Sequence, residues 1–294
     1  MIILGLPLQV LLGQLTIGLI NGSFYALLSL GLAIIFGLLN VINFAHGAFF
    51  MLGALAAWLA LTVGGVNYWW ALVLAPLVTG LFGIIVERLL LRRLQGLDHL
   101  YSLLFTFGLA LAIEGTVRDI YGTSGLAYPV PAALRGPVDL GFMRLPAYRI
   151  WVVAVALVVC FGTWALIEKT RIGSYLRAGT ENARLVQALG INVPLLVTLT
   201  YGFGVALAGL AGVLAAPIYQ VQPQMGSSML IIIFAVVVIG GLGSTMGTIL
   251  TGLALGVIEG FAKVFYPQAS STVVFMIMVV VLLLRPAGLF GKEA

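Results

Sequence analysis

Apolar tracts, each near the twenty or so residues that an α-helix needs to cross hydrocarbon, follow one another along the whole of this chain. They fall at 10–38, 47–63, 69–87, 100–120, 149–167, 193–216, 227–242, 247–263 and 271–285, with short polar breaks between them. Membrane-spanning β-strands are about half as long and alternate in polarity, so a barrel is excluded. The expected fold class is all-α, a polytopic transmembrane protein of about 8–10 helical spans. Composition agrees: only 8% of the 294 residues are charged, against roughly a quarter in water-soluble domains. Residues 1–294 are therefore read as a single transmembrane domain in a lipid bilayer.

The first tract is too long for one straight helix, and Asn21-Gly22-Ser23 interrupts it. Either a tilted, broken helix or a short first pass followed by a second is expected. The opening residues lack a basic stretch, so no cleavable signal peptide is expected. Under alternating crossings one side receives Arg88, Arg92, Arg93, Lys169, Arg171, Arg177, Arg184, Arg285 and Lys292, nine of the 14 basic residues. The other receives Arg118, Arg135, Arg144, Arg149 and Lys263. The richer side is expected to be cytoplasmic. That puts segment 168–192 and the C-terminus inside. Segment 121–148, with Pro129, Pro131, Pro137 and Pro146, is then an external irregular lid with no core of its own. Orientation in the membrane accounts for the net charge of +5, and nucleic-acid binding is not expected. Cys160, the single cysteine, permits no intramolecular disulfide and reads as a core residue.

Polar residues within the apolar sequence are candidates for lining a pathway: Asn21, Ser23, Asn43 and His46. The pentapeptide Asn43-Phe-Ala-His-Gly47 reads as a turn, with Asn43 capping the helix from 44. His46 has no Cys, Asp or Glu near it in sequence and makes a poor metal site. It either bonds backbone groups at the turn or borders a pathway. The stretch Ile239 to Gly247 is parallel in role, with Ser244 capping the helix from 245. Gly22-Ser23 and Gly226-Ser227 each read as opening a span, so a weak parallel internal repeat of 22–87 in 226–285 is expected. Gly202 to Leu214 carries small residues along one side of a helix, which suits close packing. Glu87 with Arg88, Glu114 with Arg118, and Glu259 with Lys263 read as local pairs. No acid or histidine is clearly mid-span, which counts against a proton-coupled carrier.

The run GTENARLVQALGINVP, Gly179 to Pro194, lies between two spans and is not a plain loop. Thr180 reads as N-cap, Glu181 as a first-turn acid, and Leu185, Val186 and Leu189 as one apolar face. Gly190 reads as the left-handed terminating residue, and Pro194 as the opening of the next helix. Such a short amphipathic helix either rests on lipid headgroups or docks into a groove on a partner.

The Glu181-Asn182-Ala183 start with Gly190 seven residues later is similar to the coupling loop of ABC-importer permeases, although Asn182 stands where a second small residue is usual. The wider chain resembles the branched-chain amino acid ABC permeases, the LivH-type membrane subunits. The resemblance rests on Asn21 to Ala54, "ERLLLRRL" at 87–94, "LGINV" at 189–193, "ALAGLAGVL" at 206–214, the run 236–259 and "RPAGLFG" at 285–291, in that order.

The resemblance implies a permease subunit of an importer for branched-chain or other small hydrophobic amino acids, or related amides such as urea, in the bacterial cytoplasmic (inner) membrane. It implies a related second permease subunit, two cytoplasmic ATPase subunits and a periplasmic substrate-binding protein. Thr180, Glu181, Ala183, Leu185, Val186, Leu189 and Gly190 would couple this chain to the ATPases. The only Gly-Lys pair, Gly291-Lys292, is followed by Glu293 and is no phosphate-cradling loop. The chain is thus expected to be no enzyme and to bind no cofactor, with ATP and Mg on the partner subunits. Competing readings are a sugar-type ABC permease and a self-sufficient channel or secondary carrier.

Overall fold

The computed structural model describes residues 2–3, 6–39, 43–94 and 96–291. Asn40 and Lys292 lie outside them. After a short antiparallel pair, β1 (Ile2–Ile3) and β2 (Leu6–Pro7), the chain is helical: α1 (Leu8–Leu39), α2 (His46–Thr62) and α3 (Tyr68–Val86). A π-helical turn (Glu87–Leu91) carries α3 into α4 (Arg92–Leu94), and α5 (His99–Tyr121) follows. Then come strands β3 (Pro137–Asp139) and β4 (Arg144–Pro146), α6 (Ala147–Lys169), α7 (Arg171–Glu181) and α8 (Ala183–Ala188). The chain ends with α9 (Val193–Tyr219), α10 (Met225–Gly240), α11 (Thr245–Phe265) and α12 (Ser270–Leu284).

Every apolar tract read from the sequence holds a helix. Among the described residues six helices are long and apolar enough to cross a membrane, and α2, α10 and α12 supply shorter apolar helices. The most apolar stretch of α1 is 83% buried, whereas those of α5 and α6 are 22% buried and turn most of their surface outward. An outward apolar face of that kind suits lipid or another subunit.

The first tract differs from expectation. It forms one continuous helix of 32 residues, and Asn21-Gly22-Ser23 does not interrupt it. The hydroxyl of Ser23 folds back to donate to the Ile20 carbonyl at 2.7 Å, which satisfies it within the helix. Gly22 serves a crossing. A Cβ there would lie 2.9 Å from Leu253 Cα, and one on Gly256 would lie 2.3 Å from Gly22 Cα. Small residues thus let α1 and α11 approach backbone to backbone. Gly22-Ser23 therefore opens no span.

The chain divides into two compact units, Met1–Ser29, Pro129–Cys160 and Ile232–Ala294 in the first, and Leu30–Tyr128 and Phe161–Ile231 in the second. In the first unit Ser244 caps α11 as expected, accepting from the Gly247 N–H at 3.1 Å. Tyr25 Oη donates to Glu259 Oε2 at 2.6 Å, and Lys263 Nζ meets Glu259 Oε1 at 2.7 Å, so the expected Glu259–Lys263 pair forms and gains a third member. The 121–148 segment is less irregular than its prolines suggest. β3 and β4 pair with Val138 opposite Leu145, and Leu145 is buried.

In the second unit α2, α3 and α9 pack closely. A Cβ on Gly53 would lie 2.3 Å from the Gly209 carbonyl oxygen, and one on Gly202 would lie 2.4 Å from the Ile84 side chain. One on Gly204 would lie 2.8 Å from the Gly31 oxygen, and one on Gly212 2.1 Å from that of Phe50. The small residues of α9 therefore face α1, α2 and α3 in turn, not along one side. Burial of Cys160 in α6 is complete.

Candidate functional site

The coupling segment is built from two short helices. α7 runs to Glu181, where Thr180 Oγ1 donates back to the Arg177 carbonyl at 2.7 Å. Thr180 is therefore in the last turn of α7, and Glu181 ends that helix; neither opens the next one. Asn182 breaks the helix with an extended backbone and caps α8, its Oδ1 accepting from the Leu185 N–H at 3.0 Å. A carboxamide caps well from the extended conformation, which a threonine already inside a helix cannot adopt.

At the other end Gly190 has a φ of +86°, as expected, and a Schellman closure forms: Gly190 N–H donates to Gln187 O at 2.9 Å and Ile191 N–H to Val186 O at 3.3 Å. Asn192 then caps α9, accepting from Leu195 N–H at 3.0 Å. The apolar set divides. Val186 is buried, while Leu185 and Leu189 are 62% and 73% exposed.

Beside this segment lies a polar cluster. Glu87, in the π-helical turn, is 1% exposed, and its Oε2 accepts from Thr198 Oγ1 at 2.6 Å. Among the described residues neither Glu87 with Arg88 nor Glu114 with Arg118 forms an ion pair. Burial turned Glu87 away from its exposed neighbour and onto α9. One turn on from Thr198, the Tyr201 hydroxyl accepts from Asn43 Nδ2 at 3.0 Å. Asn43 Oδ1 in turn accepts from the Ala45 N–H at 3.1 Å. Asn43 thus makes a turn before α2 rather than capping it. Ala45 holds the cap position with no side-chain bond.

Asn43, Glu87, Tyr201, Arg92, Thr180 and Gln187 line a cavity of about 420 Å³, together with apolar groups from α1, the π-helical turn, α4 and α9. Of the sequence candidates, Asn43, Thr180 and Ala183 border it. His46 does not. It is fully buried as the first residue of α2, with its ring against Gly31, where a Cβ would lie 3.0 Å from His46 Cε1. Asn21 and Ser23 lie within α1 in the first unit, Ser23 fully buried. Thr198 and Tyr201 escaped notice in the sequence. Their signal was the three-residue spacing of polar groups on one face of an apolar helix. Among the described residues no three His, Cys, Asp or Glu converge as a metal site.

Long apolar helices, glycine-mediated crossings and a short capped helix between spans define a polytopic membrane permease. The chain belongs to the family of permease components of branched-chain amino acid transport systems, whose model matches residues 14–283. It is 34% identical to the high-affinity branched-chain amino acid transport system permease protein BraD of Pseudomonas aeruginosa, over 96% of each chain. It is 29% identical to the corresponding LivH of Escherichia coli K12, again over 96% of each. The ribose import permease RbsC of Escherichia coli K12 is 27% identical over 45% of this chain and 44% of its own. No solved structure matches.

Proposed function

We propose that this chain is one of two related permease subunits of an ABC importer that carries branched-chain or other small hydrophobic amino acids, or related amides such as urea, into the bacterial cytoplasm. The observation that carries this reading is the likeness to amino-acid permeases over 96% of the chain, against 45% for the ribose permease. In this reading a periplasmic binding protein delivers the substrate, and two cytoplasmic ATPases supply the energy. Segment 168–192 and the C-terminus face the cytoplasm of the inner-membrane protein, as the bias of basic residues suggests. The exposed Leu185 of α8 and Leu189 at its C-cap fill a groove on an ATPase subunit, as amphipathic helices commonly do. ATP-driven closure of the ATPases pulls on α8, and the spans move between outward- and inward-open arrangements.

Reconstitution in liposomes tests the proposal. Leucine uptake requires the ATPases, ATP and the binding protein if the reading holds. Uptake without any ATPase overturns it in favour of a channel or carrier, and uptake of ribose but not leucine overturns the substrate class.

A further inference from the structure

The cavity beside α7 and α8 has a volume of about 420 Å³, within the roughly 300–1,000 Å³ of small-molecule sites. Its charges are arranged in a particular way. Glu87 is 1% exposed and engages Thr198 through Oε2; among the described residues its Oε1 has no hydrogen-bond partner. A carboxylate on so buried a residue is costly to leave with one partner, and a ligand or water in the cavity would supply a second. Arg92, exposed and without an ion pair among the described residues, lines the same cavity.

The π-helical turn brings these two together. Arg92 N–H bonds the Glu87 carbonyl, five residues back. In a regular α-helix residues five apart point about 140° from each other, whereas the wider π turn returns Arg92 towards the face of Glu87. Such π turns are uncommon and recur at functional sites. Leu91, Val193 and Val197 add apolar wall. A buried acceptor, a cationic group at the rim and an aliphatic wall match a free amino acid: ammonium on Glu87, carboxylate on Arg92, side chain on the apolar groups.

We propose that this cavity binds a zwitterionic amino acid with an aliphatic side chain, and that its occupation slows the transport cycle. The second half rests on the import reading above. Gly179, Thr180, Ala183 and Gln187 of α7 and α8 form one wall, and Glu87 and Arg92 another. A ligand spanning both favours the arrangement in which it fits, so a cycle that displaces α8 must first release it. On the proposed orientation the ligand arrives from the cytoplasm, and the site senses accumulated product.

Equilibrium binding of radiolabelled leucine to the assembled permease and ATPase complex, without the binding protein, is the first test. Saturable binding is expected, weakened about tenfold or more by Glu87→Gln, which keeps an acceptor for Thr198, and about threefold by Arg92→Gln at the exposed rim. Leucinol, which lacks the carboxylate, should bind the Arg92→Gln and unchanged proteins equally. Absence of saturable binding, or leucine binding unaltered in both variants, overturns the site. In liposomes, preloaded leucine should slow uptake by the unchanged complex and do so less with Arg92→Gln; equal slowing in both overturns the regulatory role. Binding without uptake supports the site and overturns the import reading. Uptake without binding does the reverse.

Discussion

The crossing of α2 and α9 offers a sharp test of how this fold holds its polar cluster. Gly53→Ala adds one methyl group where a Cβ would stand 2.3 Å from the Gly209 carbonyl oxygen and 2.4 Å from its Cα. Carbon atoms in contact sit about 3.5–4.0 Å apart, so the two backbones must part by about 1 Å. Neither struck atom belongs to a side chain that can turn away. Overpacking of this kind costs about 1–3 kcal/mol, and the upper end applies here. The better helix propensity of alanine returns about 1 kcal/mol. The net loss is about 2 kcal/mol, roughly thirtyfold in the ratio of folded to unfolded protein.

The measurement is the fraction of purified chain that stays monodisperse after heating in detergent. Gly53→Ala should lower the midpoint by several degrees. Gly108→Ala and Gly162→Ala are the controls, since a Cβ at either meets nothing within 4 Å; both should leave the midpoint unchanged or slightly raised. The crossing also sets the site, because Asn43 leads into α2 and its partner Tyr201 lies on α9. Parting the helices therefore stretches that hydrogen bond, and leucine uptake should fall with stability. A Gly53→Ala protein as stable as the original, or controls that fall equally, would refute the close-approach argument.

Leu185→Asp leaves the fold unchanged, because the side chain is 62% exposed, but should abolish copurification with the ATPase subunits. Gly190→Pro should do the same while the spans still insert, since proline cannot reach a φ of +86° and loses the bond to Gln187; normal assembly of both variants sinks the docking reading. Asn182→Ala removes the α8 cap at a cost of about 1 kcal/mol and should raise hydrogen exchange in 183–188 first. Tyr128 is buried with no partner for its hydroxyl among the described residues, so Tyr128→Phe should stabilise by about 1 kcal/mol. Burial, and then the nearby Tyr68, push the Tyr128 phenol up to about 12. Between the unfolded value near 10 and about 12 only the unfolded chain ionises, so stability is full below pH 10 and falls as pH rises through that window. Alkaline melting curves should show Tyr128→Phe escaping part of this fall.

The spans were legible because hydrocarbon imposes a length and a composition on each one separately, and no knowledge of neighbours is needed to see them. Caps that depend on local geometry were partly legible: Ser244 and Gly190 act as their residue types suggest, whereas Thr180 lost its place to Asn182. Both can cap, and the choice depended on how far α7 extends, which its packing decides. Gly173 of α7 sits so close to the Ile167 backbone that a Cβ would lie 1.6 Å from its oxygen. The polar cluster was least legible. Glu87 and Thr198 are 111 residues apart and Asn43 and Tyr201 are 158 apart, so each pairing exists only once α9 has packed against its neighbours. Gly22-Ser23 misled for the related reason that glycine in a membrane helix marks a contact as readily as a break.

These features bear on how a pull on α8 would reach the spans under the proposed coupling. Both ends of α8 leave the helical conformation, at Asn182 and at Gly190, so the helix can tilt without unwinding its neighbours. Only Gly190, Ile191 and Asn192 separate the cap of α8 from the first residue of α9, and Asn192 is bonded into the first turn of α9. That connection is too short to absorb displacement as slack. Along α9 the contacts of Gly202, Gly204, Gly209 and Gly212 are tight backbone or side-chain approaches. Close-packed interfaces of this kind shift between discrete arrangements instead of yielding gradually. A force on α8 is therefore expected to move α9 as a rigid rod, carrying Thr198 and Tyr201 past Glu87 and Asn43. The polar cluster would then be the first place where the two arrangements differ.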